Sequence, residues 1–429
     1  MQQRPSDLTI HLPYVNFSPL ADAGGLGYNR AMKKYPLLST AKLKGKRVLL
    51  RAGFDVPIEK GKVKDPSRIE AVVPTMKFIL KAGASLVVMA HQGRPKGQRV
   101  PEMSQKPLVP VLKKLLKAEV KFADDATGPV TEKMAKALKP GQVLLLENLR
   151  YDDREKKNDS QFAKALAKLG DLYVNDAFTN CHRDHASMTG VPKHLPSYMG
   201  LNLAEEVKHL SPVLEKPKHP IMLIISGAKM ETKVPVIENF LKKGDSVLVG
   251  GCIANTFIAA RGFNVGKSRY EAEFVEKAQE IMLESEKSGR ADVVVPRDAV
   301  VATEPSENAQ KLNLPVEDVL GDMAIFDVGI VTVKRYCELI AKAKTIIWNG
   351  PMGLYEYNRF SHGTKRVAEA VAAASKKGAV SIIGGGDTID FHSRYGYSMK
   401  PYTFVSTGGG AMLEFLAGKE LPALRALRK

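Results

Sequence analysis

Short apolar runs alternate with longer amphipathic stretches along most of this 429-residue chain, and this alternation restricts the possible folds more than any other feature. The runs typical of strands are 48–50, 86–90, 143–146, 172–174, 221–225, 247–249, 293–295, 345–348, 381–383 and 403–405. The stretches typical of helices are 68–82, 108–118, 160–169, 234–243, 271–288, 333–343 and 363–377. A β-α-β order of this kind predicts parallel sheets covered by helices on both faces. We therefore expect an α/β fold with two Rossmann-like lobes, each a parallel sheet flanked by helices.

The length of the chain also favours two lobes, because single hydrophobic cores stop growing beyond about 250–300 residues. Five prolines between 192 and 220 bracket a helical stretch at 204–210, which we expect to connect the lobes as a hinge helix. Residues 1–40 show no clear period and are interpreted as an irregular N-terminal extension.

The charge balance favours anionic ligands, since 64 Lys and Arg residues face 46 Asp and Glu residues and leave a net charge of +18. Such a surface would also attract nucleic acid or an acidic protein. The lysines, however, are spread along the chain without aromatic interleaving or a nucleic-acid-binding motif. An acidic protein partner therefore remains an option, and nucleic acid is not favoured.

No apolar run approaches the 18 residues of a membrane-spanning helix, so we expect no membrane association. The first 15 residues lack the continuous apolar core of a secretory signal. The three cysteines are widely spaced and form no CxxC pair, which favours a reducing, intracellular compartment and argues against a zinc site.

Positive and hydrogen-bonding side chains follow the strands of the first half, at the carboxyl ends where open α/β sheets bind ligands. They are His91, Arg94, Lys96, Arg150, His182, Arg183 and His185, and Arg68 opens a probable helix. A single Arg at a strand end usually belongs to a surface ion pair. Several at equivalent ends favour a shared anion site, because the planar guanidinium binds phosphate or carboxylate through two hydrogen bonds.

The second half carries glycine and lysine instead. Ser226-Gly227-Ala228-Lys229 follows the run 221–225, and Lys233 comes one helical turn later on the same face. Both lysines could reach a phosphoryl group in transfer, whose charge must be stabilised. A solvated helix face is the alternative, and the spacing does not separate the two. Trp348-Asn349-Gly350-Pro351 ends another strand.

Two glycine triplets close the chain: Gly384-Gly385-Gly386, followed by Asp387-Thr388, and Gly408-Gly409-Gly410. A strand that leads through glycines into a helix leaves backbone N–H groups free to bind phosphate. One triplet alone could equally serve a tight turn. Two so close together, one with a carboxylate able to reach a metal, favour a site for a nucleotide or a phosphorylated substrate.

Two other glycine patterns lack the spacing of known phosphate-binding loops. Three residues separate Gly262 from Gly266, ahead of Lys267, where a Walker A motif requires four. The segment 25–30 lacks the third glycine of a dinucleotide fingerprint and follows no strand. We assign neither pattern a role in phosphate binding.

Seven motifs follow one another along the chain in an order and spacing that can be compared with known families. They are Gly-Arg-Pro-Lys-Gly at 93–97, Leu-Leu-Glu-Asn-Leu-Arg at 145–150, Val-Asn-Asp-Ala-Phe at 174–178, Gly-Ala-Lys at 227–229, Trp-Asn-Gly-Pro-Met-Gly at 348–353, Gly-Gly-Gly-Asp-Thr at 384–388 and Val-Ser-Thr-Gly-Gly-Gly-Ala at 405–411. From about Leu43 to the C-terminus the chain resembles the phosphoglycerate kinase family.

The resemblance implies a kinase that closes by hinge bending and transfers a phosphoryl group between 1,3-bisphosphoglycerate and ADP with Mg²⁺, giving 3-phosphoglycerate and ATP. The expected domains are the extension 1–40, a 3-phosphoglycerate-binding domain at 41–197, the hinge helix with a nucleotide-binding domain at 198–410, and a segment at 411–429 that packs back on the N-terminal domain.

The resemblance also implies site residues. The substrate-binding set is Asp55, Arg68, His91, Arg94, Arg150, His182 and Arg183. The nucleotide-binding set is Gly227, Lys229, Lys233, Gly250, Gly251, Asn349, Pro351, Glu356, Gly385, Gly386, Asp387 and Thr388, with Asp387 also on the metal. The set that acts on the transferred phosphoryl group is Arg68, Lys229, Gly385 and Gly408.

The chain departs from the family pattern at 51–57, where Arg-Ala-Gly-Phe-Asp-Val-Pro replaces Arg-Val-Asp-Phe-Asn-Val-Pro. The carboxylate expected at Gly53, a ligand of the substrate hydroxyl, is missing, and Asp55 stands where the family has a neutral amide. Asp55 could inherit the missing role or repel the anionic substrate. The other departures are Gln92, Thr179-Asn180-Cys181 for Gly-Thr-Ala, Ser226, Thr232, Cys252, Asn255 and Met412.

Two functions follow from this pattern. The first is an active phosphoglycerate kinase, since the Arg set, both lysines, Asp387 and both triplets are present. The alternative is a catalytically impaired member that serves as a structural or binding component of a larger assembly and docks through its basic surface and residues 1–40. The cytoplasm is the expected location. Import into an organelle would also use an extension, but this one is neither Arg-rich nor Ser-rich.

Overall fold

A computed structural model describes residues 32–428 of the chain, which divides into two compact units. The first unit comprises the described residues up to Lys208 together with those from Glu420 onward, and the second comprises His209–Lys419. The division falls inside a helix, Leu201–Glu215. The domain boundaries expected from the sequence stay a prediction.

The extension expected at 1–40 is described in part. Residues 1–31 lie outside the described residues, whereas Leu38–Thr40 form a 3-10 helix. Leu37 forms a parallel bridge to Met199, and Leu38 is buried in the core of the first unit. These last residues of the segment therefore belong to the fold of the first unit.

The first unit is built on a six-stranded sheet with the strand order β5-β6-β4-β1-β7-β8, in which the paired strands are parallel. The strands are β1 Arg47–Ala52, β2 Ile58–Glu59, β3 Lys62–Val63, β4 Ser85–Met89, β5 Val120–Ala123, β6 Val143–Leu146, β7 Leu172–Asp176 and β8 Ser197–Met199. The helices are α1 Ser67–Lys81, α2 Leu108–Leu116, α3 Pro129–Lys136, α4 Ser160–Ala167 and α5 Leu201–Glu215, with α13 Pro422–Ala426 near the end of the chain.

Helices cover this sheet because they present apolar stripes to it. In α2, Leu108, Leu112 and Leu116 recur every four residues and are all buried. All five residues of β4 are buried. A central strand covered on both faces has no polar side, which is why β4 reads as a continuous apolar run in the sequence.

The second unit contains a further six-stranded parallel sheet with the order β11-β10-β9-β15-β16-β17, and an antiparallel sheet with the order β13-β12-β14. The strands are β9 Ile221–Ile225, β10 Ser246–Val249, β11 Asp292–Val294, β12 Asp298–Ala302, β13 Leu312–Pro315, β14 Ala324–Val328, β15 Thr345–Asn349, β16 Val380–Gly384 and β17 Phe404–Ser406. The helices are α6 Val234–Lys243, α7 Gly251–Ala260, α8 Val275–Ser285, α9 Ile330–Ile340, α10 His362–Lys376, α11 Gly386–Tyr395 and α12 Gly410–Leu416.

The expected α/β fold with two parallel sheets is confirmed, and each of the ten predicted strands is present within a few residues. The sequence did not reveal the antiparallel sheet or α7. Seven of the ten residues of α7 are buried, so the helix lacks the polar face that produces a helical period. The helix predicted at 204–210 extends further in the structure, as α5, because Pro212 lies inside it and does not end it. Among the described residues, no helix has both the length and the apolar content needed to cross a bilayer.

The rejected Walker-like segment has a structural role. Gly266 has a φ of +55° and forms an antiparallel bridge with Ala324. A Cβ on Gly266 would lie 2.1 Å from the carbonyl oxygen of Met323, and this close approach of two backbones explains the glycine. Gly262 has a φ of +85°, but a Cβ there would meet no atom within 4 Å.

The two glycines predict different costs of substitution. Gly266→Ala should lower the free energy of unfolding by about 2–4 kcal/mol, because the left-handed conformation costs an L-residue about 1–2 kcal/mol and overlap with Met323 adds roughly 1–3 kcal/mol. Gly262→Ala, the matched control, should cost only the first part, about 1–2 kcal/mol. Thermal melts followed by circular dichroism compare the two variants, and equal losses would contradict the assigned close approach.

Candidate functional site

The predicted anion-binding residues of the first unit follow strands that end at the same edge of the sheet. β1 lies between β4 and β7, with Arg51 opposite Met89 and Ala52 opposite Asp176. Because the strands are parallel and in register, the loops after them converge at one edge. Residues 53–57 and the loops that follow β4, β6 and β7 therefore form one candidate site.

Arg51 lies beneath this edge, with 1% of its surface exposed. Its Nε donates to Ser187 Oγ at 2.9 Å, its Nη2 donates to His91 Nδ1 at 3.0 Å, and its Nη1 donates to the carbonyl of Ala52. Ser187 Oγ in turn donates to Glu155 Oε1 at 2.5 Å. Burial lowers the pKa of Arg51, against the charge of Glu155. The buried cation is thus linked through Ser187 to Glu155, whose own pKa is raised by burial and lowered by the charge of Arg51.

The bond from Arg51 determines the tautomer of His91. Since Nδ1 accepts from Arg51, the ring proton is on Nε2, which lies 3.6 Å from Asp55 Oδ2. Burial, together with the charges of Arg51 and Arg150, lowers the pKa of His91 to about 4. His91 is therefore neutral at pH 7 and directs an N–H toward Asp55.

The carboxylate of Asp55 is held in its charged form. Burial acts to raise its pKa, but the interaction with His91, the N–H of Gly93 and the charge of Arg68 outweigh burial and lower the pKa below its usual range. The Gly93 N–H donates to Asp55 Oδ1 at 2.9 Å. Arg68 Nη1 donates to the carbonyl of Asp55 at 2.6 Å. Asp55 thus joins three of the elements that form the edge.

Gln92, one of the departures from the family pattern, fixes the same loop. Its side-chain amide binds the backbone of Val56 twice, since Oε1 accepts from Val56 N at 3.3 Å and Nε2 donates to Val56 O. Asn148 holds Gln92 in turn, accepting from its backbone N at 3.2 Å and donating to its carbonyl at 2.8 Å. An apolar residue at 92 would make none of the side-chain bonds to Val56.

The remaining predicted residues add positive charge. Arg150 Nη1 donates to Gly93 O at 2.8 Å, while its Nε is buried without a hydrogen-bond partner among the described residues, as is Nδ1 of His182. Burial and then Arg51 lower the pKa of Arg150 to about 10. Burial, Arg183 and Arg150 lower the pKa of His182 to about 4. Mutual repulsion of this kind is relieved by an anion.

The structure places the other predicted residues of this unit at the surface. Arg68, Arg94 and Arg183 are exposed. Arg183 lies close enough to Arg150 and His182 to affect the pKa of both, and Arg68 contacts Asp55. Arg94 belongs to the same loop as His91. The predicted first-unit residues thus lie in loops at one edge of the sheet, above the buried cation of Arg51.

In the second unit, Lys233 and Asn349 connect two neighbouring segments of the predicted nucleotide site. Lys233 Nζ donates to Asn349 Oδ1, and Asn349 Nδ2 donates to Gly384 O at 3.0 Å. Burial lowers the pKa of Lys233 to about 8, although the charge of Asp387 opposes the shift. Asn349 therefore orients the ammonium group beside the first glycine triplet.

The backbone at the end of β15 lies very close to that at the end of β9. A Cβ on Gly350 would be 2.4 Å from the carbonyl oxygen of Ser226. Gly350 N donates to Thr388 Oγ1 at 2.8 Å, and Thr388 Oγ1 donates to Gly384 O at 3.1 Å. Gly385 has a φ of +101°, a conformation that L side chains rarely adopt. The segments after β9, β15 and β16 are thus joined into one surface.

The acidic residues of this site gather around Tyr355. Burial, the hydrogen bond to Asp390 and the charges of Asp387 and Glu356 all raise the pKa of the Tyr355 hydroxyl. Asp387 is exposed in the first turn of α11. Within residues 32–428, no group of three or more His, Cys, Asp or Glu side chains is positioned to hold a metal ion. Mg²⁺ needs only one or two carboxylates when phosphates and water complete its coordination, so Asp387 fits it.

The other residues of the predicted nucleotide set occupy neighbouring loops. Lys229 is exposed, and Gly250 and Gly251 begin α7. Gly251 packs on Ser226, because a Cβ there would lie 2.8 Å from Ser226 Oγ. The remaining members are Gly227, Pro351 and Gly386. The set predicted to act on the transferred phosphoryl group adds Gly408, whose backbone N–H donates to Ser406 Oγ at 3.1 Å.

Sequence reasoning missed the residues that support the site from below. Arg51, Glu155, Ser187 and Asn148 were not predicted to act there, although all four are buried. A signal was present in one case, because Arg51 directly follows the apolar residues 48–50 inside β1, and charged residues are seldom buried without a partner. The other three are separated from it by long stretches of chain.

Comparisons with known proteins agree with this geometry. A model of the family described as phosphoglycerate kinase matches residues 38–419. The chain is 44% identical to phosphoglycerate kinase of Chloroflexus aurantiacus over 387 residues, covering 90% of this chain and 96% of that one. It is 42% identical to that of Leptospira biflexa over 394 residues, covering 92% and 98%. The solved phosphoglycerate kinase of Coxiella burnetii has a TM-score of 0.82 at 37% identity, covering 92% and 98%.

The neutral histidines make the first unit sensitive to acid. His91 has an ordinary pKa of 6.5 when unfolded and about 4 in the fold, so between these values the unfolded chain binds a proton that the folded chain does not. Stability should therefore fall as the pH drops from about 6.5 to about 4, and His91→Gln should reduce that slope. Thermal melts across this range measure both slopes, with His194→Gln, an exposed position, as control. A stability that rises on acidification would contradict the assignment.

Proposed function

Because the chain belongs to the phosphoglycerate kinase family, we propose that it catalyses the reversible transfer of a phosphoryl group from 1,3-bisphosphoglycerate to ADP, giving 3-phosphoglycerate and ATP. The observation that carries the proposal is the cluster around Arg51 and Arg150, where two buried nitrogen atoms have no hydrogen-bond partner among the described residues and the charge of Arg51 lowers the pKa of Arg150. No comparison supports the alternative of a non-catalytic component.

The first unit is proposed to bind the phosphorylated acid. Its carboxylate and phosphate groups match the guanidinium groups of Arg94, Arg150 and Arg183, since Arg binds such groups through paired hydrogen bonds. Arg68 is proposed to bind the transferred group. His182 Nδ1, which has no hydrogen-bond partner within residues 32–428, would supply a further polar contact at the edge.

Asp55 is proposed to be a positioning residue that does not repel the substrate. Its negative charge lies within the field of Arg51, Arg68 and Arg150, each of which interacts with it electrostatically. Three cations around one carboxylate leave the edge positive. The carboxylate also binds the Gly93 N–H, so its loss would loosen the loop that carries His91.

The second unit is proposed to bind the nucleotide. Lys233 and the exposed Lys229 would contact phosphate oxygens, and the glycines after β16 would present backbone N–H groups to them. Asp387 would hold Mg²⁺, which neutralises charge on the phosphates when bound. The lowered pKa of Lys233, about 8, indicates an ammonium group that gains from an anionic partner.

An acidic protein partner and a cytoplasmic location are also proposed. The support for the partner is the net charge of +18, which would draw an acidic surface to the protein, with residues 1–40 as a further contact segment. The support for the location is the presence of three free cysteines, which suits a reducing compartment.

The proposed division of labour is tested by kinetics on single variants. The native protein should turn over at about 1–100 per second in a coupled assay of ATP formation. Arg150→Met should raise the KM for the phosphorylated acid at least about 10-fold and leave the KM for the nucleotide unchanged, because one charge-assisted contact contributes about 1.5–3 kcal/mol. Lys233→Met should raise the KM for the nucleotide and leave the KM for the phosphorylated acid unchanged. Lys113→Met, on the exposed face of α2, is the control. A native protein without turnover would refute the proposed activity.

The assignment of Asp387 to the metal is tested by binding alone. Isothermal titration calorimetry of ADP with and without Mg²⁺ should show that Mg²⁺ strengthens binding to the native protein. In Asp387→Asn, the factor by which Mg²⁺ raises the affinity for ADP should be at least about 10-fold smaller, as expected for the loss of a metal contact. Asp390→Asn, one turn later in α11, is the matched control and should keep the gain. An unchanged Mg²⁺ effect in Asp387→Asn would refute the assignment.

A further inference from the structure

Thr179 fills the space next to Gly53. Gly53 directly follows β1, and Thr179 lies in the 3-10 helix Phe178–Asn180 that follows the neighbouring strand β7. A Cβ on Gly53 would lie 2.9 Å from Thr179 Oγ1 and 3.8 Å from the Cα of Ala177. Real Cβ atoms do not come that close to another heavy atom, so any side chain at 53 requires Thr179 to move.

Thr179 cannot move away at no cost. A β-branched side chain has few low-energy rotamers. Rotation about χ1 that turns Oγ1 away from Gly53 moves another substituent of the same Cβ toward it. The turn would also break the hydrogen bond that Thr179 Oγ1 donates to Asn180 Oδ1 at 3.1 Å. Asn180 is buried, so its oxygen would lose a partner in a place where water does not readily replace it.

That same hydrogen bond decides what Thr179 can offer a ligand. The hydroxyl has one proton, which is directed to Asn180, and two lone pairs, which remain as acceptors. Thr179 is half-buried and lies beside a residue without a side chain. Oγ1 therefore presents an acceptor at the edge of the sheet where the anion-binding residues converge.

Asp55 is less available for this task. Its Oδ1 accepts from the Gly93 N–H at 2.9 Å, and its Oδ2 faces the Nε2–H of His91 at 3.6 Å. Oδ1 thus helps to fix the loop after β4, and the charge of Asp55 is already surrounded by His91 and Arg68. Thr179 Oγ1 is a second acceptor at this end of β1, and it carries no charge.

We infer that Thr179 is a specificity-determining residue for the phosphorylated acid, with Oγ1 accepting a hydrogen bond from the hydroxyl group next to the carboxylate of the substrate. The inference rests on the proposed function, because it names the group that recognises one part of that substrate. It also assigns Gly53 a reason, since the glycine leaves room for the hydroxyl of Thr179.

The first test compares the substrate with the same phosphorylated acid lacking the hydroxyl. Titration calorimetry gives the affinity of the native protein for 3-phosphoglycerate and for 3-(phosphonooxy)propanoate. Thr179→Val keeps the bulk and removes the acceptor, so it should weaken 3-phosphoglycerate binding about 10-fold or more and leave 3-(phosphonooxy)propanoate binding within about 3-fold. Thr179→Ser should restore the preference. Thr40→Val, in the 3-10 helix before β1, is the control.

The second test is a double-mutant cycle on the pair. Gly53→Ala should lower the melting temperature of the protein, and the same change in a Thr179→Gly background should lower it much less. For the same reason Gly53→Asp should bind 3-phosphoglycerate poorly beside Thr179 and should regain affinity in Gly53→Asp/Thr179→Gly. Additive effects of the two substitutions would overturn the steric part of the inference.

The outcomes separate this inference from the proposed function. A native protein that binds no 3-phosphoglycerate refutes both. If the native protein binds 3-phosphoglycerate and Thr179→Val binds each acid as tightly as the native protein does, the role of Thr179 alone is refuted. A Thr179→Val variant that weakens both acids equally would show a structural effect and would likewise overturn the assignment of the hydroxyl contact.

Discussion

The guanidinium of Arg51 is buried beneath the carboxyl edge of the first sheet and directs its donors to Ser187, His91 and the backbone of Ala52. A charge removed from water is tolerated only when hydrogen bonds and an opposite charge surround it, and Glu155 supplies that charge through Ser187. The arrangement of the edge follows from this one group. Arg51 fixes the proton of His91 on Nε2, and that proton faces Asp55.

Different contacts form the carboxyl edge of the parallel sheet in the second unit. Its central contacts are made by the backbone and by small residues, since Gly350 approaches the carbonyl of Ser226 more closely than any Cβ would allow. Thr388 and Asn349 then tie this backbone to the glycine triplet after β16. A surface of main-chain donors suits a polyphosphate, whereas the buried cations of the first unit suit a smaller anion. The two units thus differ in the groups that they would present to an anion.

The sequence was sufficient for the features that depend on local pattern. Buried parallel strands are continuous apolar runs, so β4, β9 and β15 could be located from the sequence alone, and the edge that carries the candidate site was predicted from them. α7 could not be located, because a helix buried on most of its surface has no polar face. Nor could the support of Arg51 by Glu155 and Ser187, because those residues are brought together only by the tertiary fold.

The departures from the expected family pattern could not be interpreted from the sequence alone either, because the effect of each residue depends on the residue that it contacts. Gly53 and Thr179 are 126 positions apart in the chain, yet a side chain at 53 would enter the space that Thr179 Oγ1 fills. Gln92 likewise fixes the backbone of Val56, in the loop that carries the new carboxylate of Asp55. Read singly, each substitution is a defect in a motif. As contacts they are coupled, so Gly53→Asp alone would place a side chain against Thr179 Oγ1.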